Sequence, residues 1–176
     1  PGVQSQKIST LSLASEEFNG ELNIMTWNIA WLYGKGSEGD DDYKIQSQDF
    51  YQKKLKDFSQ IFLDNHVDLA FLQEVDFDSD RSHHINELEA LQKQIAFSFS
   101  IPVQSWDVAY MPFPYSPMSR HWKKIISGGG ILSRYKVSGG YNLILEKPDF
   151  FWAYKKFYLH RYFQVVQLNL SSNESY

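Results

Sequence analysis

Apolar and polar residues alternate over residues 21–27, with Leu22, Ile24 and Thr26 on one side and Asn23, Met25 and Trp27 on the other. A period of two predicts a strand there. Over residues 43–65 the period lengthens. Tyr51, Leu55, Phe58 and Phe62 recur at spacings of four, three and four, which is one apolar stripe of a helix. Residues 67–75 carry the nearly continuous run Val67, Leu69, Ala70, Phe71 and Leu72, the pattern of a strand buried on both faces. Ile85, Leu88, Leu91 and Ile95 mark a second amphipathic helix, taken to start near Ser82, and residues 106–111 a further strand. Pro112, Pro114 and Pro117 then impose an irregular loop, because proline removes ladder donors. Residues 128–133 enter another strand, Gly139-Gly140 reads as a turn between short strands at 135–137 and 141–146, and 161–170 alternate as a last strand. Residues 1–20, rich in Ser and Gln, read as a tail, and 21–176 as one unit without internal repeats.

The order strand, helix, strand, helix, then mostly strands predicts a mixed α/β fold with helices packed outside a sheet. The 176 residues suffice for the core of one domain. A content of 43% hydrophobic and 22% charged residues excludes a disordered chain, and no run of apolar residues is long enough for a membrane-spanning helix. Aromatic residues at 16% point to aromatic-lined clefts. The net charge of −4 argues against a protein that coats nucleic acid without regard to sequence. It does not argue against an enzyme that handles phosphates through a bound cation. The absence of cysteine excludes disulfides, zinc–thiolate sites and thiol nucleophiles. It leaves the compartment open: soluble, and cytoplasmic or exported with its signal removed.

The chemistry concentrates at strand ends. Thr26-Trp27-Asn28-Ile29 closes the first strand, Leu72-Gln73-Glu74-Val75 the second, and Gly129-Gly130-Ile131-Leu132-Ser133-Arg134 lies on a later one. Ligands of open α/β sheets collect at the carboxyl ends of strands. There Asn28 and Glu74 offer an amide oxygen and a carboxylate, hard donors suited to Mg²⁺, which takes one or two carboxylates and keeps waters or phosphate oxygens.

TWNIA at 26–30, LQEVD at 72–76 and SGGGILSRYKV at 127–137, in this order, resemble the endonuclease/exonuclease/phosphatase superfamily of deoxyribonuclease-like phosphoesterases. The resemblance covers roughly residues 21–170. It implies a four-layer α/β/β/α sandwich and hydrolysis of phosphoester bonds by activated water with Mg²⁺, or Mn²⁺ in its place. By the same resemblance, Glu74 and Asn28 are the catalytic and metal-binding residues, Arg161 contacts the substrate phosphate, and Ser133 and Arg134 belong to a structural segment. A tyrosine of the site is not assigned between Tyr110 and Tyr115. The implied substrate is a nucleic acid, a sugar phosphate or a phospholipid, since such enzymes share these anchors and differ in their loops. Late Thr-His, Asp-x-Asn and Asp-His segments of the family do not occur in the chain, which is therefore expected to be the N-terminal portion of the domain, truncated on its C-terminal side and inactive alone. The alternative is a non-catalytic binding module that uses the aromatic and basic loop at 110–124.

Other clusters read differently. Asp76, Asp78, Asp80 and Glu87 match positions of a calcium loop, but Arg81 occupies the place of the required glycine, so capping and solvation are expected instead. His83 and His84 are adjacent and diverge, while His66, His121 and His160 stand alone and suit packing or hydrogen bonding. Asp40-Asp41-Asp42 reads as a solvated run. Neither Gly34-Lys35-Gly36 nor Gly128-Gly129-Gly130 is a nucleotide fingerprint, and the latter suits close backbone approach. Arg120, His121, Lys123 and Lys124 lie near Tyr110, Phe113, Tyr115 and Trp122, which makes either a seat for a phosphate-bearing, partly apolar ligand or a loop packed on the body. Asn169-Leu170-Ser171 and Asn173-Glu174-Ser175 fit the glycosylation pattern.

Overall fold

The computed structural model describes residues 2–4, 7–11, 18, 20–33, 44–149 and 151–170. In chain order its elements are β1 (Gly2–Gln4), β2 (Ser9–Thr10), β3 (Ile24–Asn28), α1 (Gln48–Asp64), β4 (Leu69–Asp76), α2 (Glu87–Ile95), β5 (Phe99–Met111), β6 (Lys123–Ser133), β7 (Lys136–Ile144), α3 (Trp152–Phe157) and β8 (Tyr162–Asn169). Short 3-10 turns occupy Ala30–Leu32, Asp80–Ser82 and Met118–Arg120. The larger sheet has the order β2–β5–β6–β4–β3 and the smaller β1–β7–β8. Among the described strands only β3 and β4 run parallel, joined through α1, as a βαβ crossover requires.

The helical stripe is buried as its spacing predicts. Tyr51, Leu55, Phe58 and Phe62 face the larger sheet and pack with Ala70 and Leu72 of β4, Leu132 of β6 and Leu88, Leu91 and Ile95 of α2. Ser47 caps α1 by accepting the Phe50 N–H at 3.2 Å. The second helix starts later than Ser82, because Asn86 accepts the Glu89 N–H and takes the cap, while Ser82 is buried in the preceding turn. A second core lies between the sheets, where Leu69, Ile101, Ile131 and Val137 meet Phe71, Val166 and Leu168. The described residues thus supply three layers of the α/β/β/α order: helices, larger sheet, smaller sheet. Among them no helix is long and apolar enough to cross a membrane.

Several boundaries differ from the sequence pattern. In β3 the face turned to the helices is that of Met25 and Trp27, with Trp27 stacked on Phe58 at 4.3 Å, while Ile24 is exposed. The strand predicted at 106–111 begins at Phe99 and includes Pro102. Among the described residues this strand is a sheet edge beyond its two pairs with β2, where a missing N–H is tolerated. Gly139-Gly140 is not a turn. One strand, β7, runs through it, and the glycines absorb a register shift against β8 between Val137 and Gly139. The helix α3 was not anticipated. Within the opening segment read as a tail, Gly2–Gln4 pairs with β7 and Ser9–Thr10 with β5. Asp40-Asp41-Asp42, Gly34-Lys35-Gly36, Tyr43 and residues 171–176 lie outside the described residues.

Candidate active site

Asn28 is the last residue of β3, in register with Gln73 of β4. Its Oδ1 accepts the Ala30 N–H at 3.0 Å, which folds the side chain over the turn that follows. In that turn Ala30, Trp31 and Leu32 all have positive φ, between 44° and 55°. Such backbone costs roughly 1–2 kcal/mol per residue. Burial of Leu32 and the stacking of Trp31 over the Arg81 guanidinium, 3.9 Å away, offset it.

Glu74 sits on a bulge. The pairing of β4 with β6 slips between Gln73 and Val75, and Glu74 takes φ +53°. The slip lets Val75 and Asp76 both turn inward while the Glu74 carboxylate stays exposed. Opposite the bulge runs Gly128–Gly130 of β6, where backbone and side chains come too close for a side chain. A Cβ on Gly128 would meet the Val103 carbonyl, and one on Gly129 the Tyr162 hydroxyl and the Leu72 carbonyl. The glycine run is thus a place of close approach, as its sequence suggests.

Asn28, Glu74 and Arg161 line one cleft of about 670 Å³. Residues from the far end of the smaller sheet, His160 to Gln164, close it from the other side. His160 is fixed there, its N–H donating to Ser105 O at 2.8 Å and its Nδ1 lying 3.0 Å from Leu145 O. A carbonyl only accepts, so Nδ1–H is the donor of that bond, which fixes the ring. Burial pushes the Tyr162 phenol above its ordinary pKa.

Beneath the cleft lies a buried ionic network that the sequence pattern did not reveal. Arg81 grips Asp76 with two hydrogen bonds, Nε to Oδ2 at 2.9 Å and Nη2 to Oδ1 at 2.8 Å, both side chains being almost wholly buried. Trp31, Trp106 and Trp122 surround the guanidinium at 3.9, 5.4 and 4.7 Å. The Asp76 N–H donates to Glu87 Oε2 at 2.8 Å. Burial, and then the Asp76 charge, push the Glu87 carboxyl well above the usual carboxylate range, and burial, then Glu87 and then Asp76, raise the Tyr51 phenol. The one sequence signal was Arg81 itself, in the place where a calcium loop needs glycine.

The calcium-loop match dissolves accordingly. Asp76 is spent on Arg81. Asp78 takes Lys124 Nζ and His84 Nδ1, whose hydrogen bonds hold its carboxyl below the ordinary value, and Asp80 accepts the Lys124 N–H. His83 turns away to Gln46 O at 2.7 Å, so the two histidines diverge as expected. The basic cluster at 120–124 is likewise engaged in part: Lys124 with the acidic loop, and His121, buried, with the Tyr110 hydroxyl. Neither Tyr110 nor Tyr115 lines the cleft; the tyrosine there is Tyr162. Ser133 is buried and bonded to Tyr135, and Arg134 Nε donates to Val67 O, both structural roles.

Among the described residues no three His, Cys, Asp or Glu side chains cluster to hold a metal ion. The donors at the cleft, one exposed carboxylate and one amide oxygen, fit instead a hard cation that keeps most of its shell as water or phosphate. A second cavity, of about 520 Å³, adjoins the cleft and is lined by aromatic and aliphatic side chains, Phe113, Tyr115 and Trp122 of the 110–124 loop among them.

The family model described as Endonuclease/Exonuclease/phosphatase family matches residues 25–161. No curated protein and no solved structure matches the chain. Members of that family are hydrolases of phosphoester bonds and generally depend on a divalent metal. The matched stretch runs from the strand that presents Asn28, through the bulge of Glu74 and the glycine run facing it, to Arg161 at the opposite rim: the chain belongs to the endonuclease/exonuclease/phosphatase family.

Proposed function

We propose that this domain hydrolyses phosphoester bonds with a divalent cation held by Asn28 and Glu74. The observation that supports it is their presence, with Arg161, in one cleft. Glu74 would supply the carboxylate ligand and Asn28 an oxygen already oriented by its bond to Ala30 N–H. Mg²⁺ suits this donor set, and Mn²⁺ accepts the same oxygens. When bound, such a cation neutralises charge on the phosphate and acidifies a coordinated water. Arg161 is exposed at the rim, and its guanidinium is shaped to take two phosphate oxygens. His160 beside it lines the same cleft. Trp31 and the tryptophans around Arg81 wall off the inner side of the cleft.

The test replaces Glu74 with Gln, which keeps size and removes charge. Glu74→Gln should lower Mn²⁺ affinity in a direct titration by about tenfold or more, one conserved-geometry charge being worth at least about 1.4 kcal/mol at such a site. Hydrolysis of bis(p-nitrophenyl) phosphate, if the chain turns it over, should fall in parallel, with the thermal midpoint unchanged. Unaltered Mn²⁺ affinity would remove Glu74 from the metal site. A second reading, a binding module without turnover, is favoured by the aromatic cavity at the 110–124 loop; it predicts ligand uptake that is indifferent to Glu74→Gln.

A further inference from the structure

Arg81 makes a contact at each of the two segments that carry Asn28 and Glu74. Its guanidinium holds the Asp76 carboxylate, two residues beyond Glu74, by bonds of 2.9 and 2.8 Å. Its guanidinium carbon lies over the ring of Trp31, three residues beyond Asn28, at 3.9 Å from the ring centre. These segments are also places of backbone strain. Glu74 has φ +53°, and Ala30, Trp31 and Leu32 lie between +44° and +55°. Strain of this kind persists only where surrounding contacts over-determine it.

The arginine is itself firmly mounted. It belongs to the turn Asp80–Ser82, where Asp80 accepts the Lys124 N–H at 2.8 Å. Just before that turn the Ser79 hydroxyl accepts the Ile126 N–H and donates to Ile126 O, both at 3.1 Å. Both bonds anchor the turn to β6. Trp122 packs edge-on against Trp31 at 5.1 Å, which holds the ring in place over the guanidinium. From Trp31 the path to the site is short. Its neighbour Ala30 gives its N–H to Asn28 Oδ1, so the pose of the turn sets the direction of that oxygen, which keeps a second lone pair for a ligand. A buried ion pair adds little stability, because desolvation consumes most of its attraction. A two-bond arginine–carboxylate pair does fix direction.

We propose that Arg81 is a positioning residue of the cation site, a buried brace that holds the Asn28 turn and the Glu74 bulge in fixed relation to each other. The inference rests on the reading of Asn28 and Glu74 as the cation ligands. It adds the residue that sets their mutual geometry without touching substrate.

The test reads Mn²⁺ binding to the full chain by electron paramagnetic resonance titration, without substrate, and the thermal midpoint beside it. Arg81→Lys keeps a positive charge for Asp76 but loses the planar two-bond grip and the stack on Trp31. It should weaken Mn²⁺ binding by about tenfold or more, as for other residues that orient metal ligands, in a chain that is still folded. Trp31→Leu removes only the arm towards Asn28. It should weaken Mn²⁺ binding in the parent but not in the Asn28→Ala background, where Glu74 remains, because both changes act through one oxygen. The proposal is overturned if folded Arg81→Lys binds Mn²⁺ like the parent, or if Trp31→Leu has the same effect with Asn28→Ala as without it. If Arg81→Lys does not fold, the Trp31→Leu and Asn28→Ala pair decides alone. Parent binding that is absent, or indifferent to Glu74→Gln, overturns the cation reading itself. Glu74-dependent binding that ignores Arg81→Lys and Trp31→Leu overturns the brace alone.

Discussion

Glu74 and Gly128 depend on each other across the bulge. Glu74 can leave the β4 alternation only because β6 opposite it carries no side chains for three residues, Gly128 to Gly130. Gly128→Ala would drive a methyl group into the Val103 carbonyl, a backbone atom that cannot swing away. The expected cost is about 2–3 kcal/mol of stability, the usual range for overpacking, read as a lowered denaturant midpoint. A variant as stable as the parent would mean that β5 and β6 can part without penalty. In the sequence, the glycine run signalled close approach. It could not say that the partner was the strand end bearing the carboxylate.

At the scale of elements, α2 and the end of β4 are locked through Glu87 and Asp76. The Glu87 carboxyl is wholly buried, and among the described residues its Oε1 has no hydrogen-bond partner. Its pKa lies well above the ordinary carboxylate value in the folded chain, because burial and then Asp76 disfavour the charge. Between those two values the folded chain keeps a proton that the unfolded chain has lost. Stability contributed by this group is therefore full below the ordinary carboxylate pKa and is lost as pH rises towards the raised one, by up to about 1.4 kcal/mol per pH unit within that window. Glu87→Gln keeps an acceptor for the Asp76 N–H and removes the titration. Its thermal midpoint should gain on that of the parent as pH is raised from mildly acidic to mildly alkaline. Parallel pH profiles for the two chains would place the ionisation elsewhere. Hydrophobic spacing announced α2 through Leu88, Leu91 and Ile95, but Glu87 entered the sequence reading only as one acid of a calcium-loop match, with solvation expected. Only the packing of the helix against Asp76 makes it a buried one.

For the whole molecule, the two sheets differ in how their faces are used. The inner face of the smaller sheet is closed against the larger by Val137, Val166 and Leu168, and by two amides, Asn142 and Gln164, which donate to the Pro102 and Ile101 carbonyls of β5. Its outer face carries Val3, Tyr141, Phe163 and Val165, all exposed, with Tyr141 opposite Val165 in register. A contiguous apolar face beside an edge strand promotes association. Phe163→Lys with Val165→Lys should lower the apparent mass of the chain at high concentration in sedimentation velocity and reduce its binding of a hydrophobic dye, without loss of the fold. Identical sedimentation of variant and parent would show that this face does not drive association of the 176-residue chain.

The sequence alone was enough to identify the apolar stripe of α1, the doubly buried β4, the strand at 162–169 and the three segments that resemble the family, because each is written in local spacing or in a short contiguous motif. It also nominated Asn28, Glu74 and Arg161. Tertiary structure decided what no local pattern encodes: that these three residues share a cleft, that Arg81 is caged by three tryptophans from separate segments, and that Pro102 and Gly139-Gly140 lie within strands. The physical reason is the same in each case. Periodicity reports which face of an element is buried, whereas the partner on that face, and hence the charge, the strain and the cavity, depends on contacts between residues far apart in the chain.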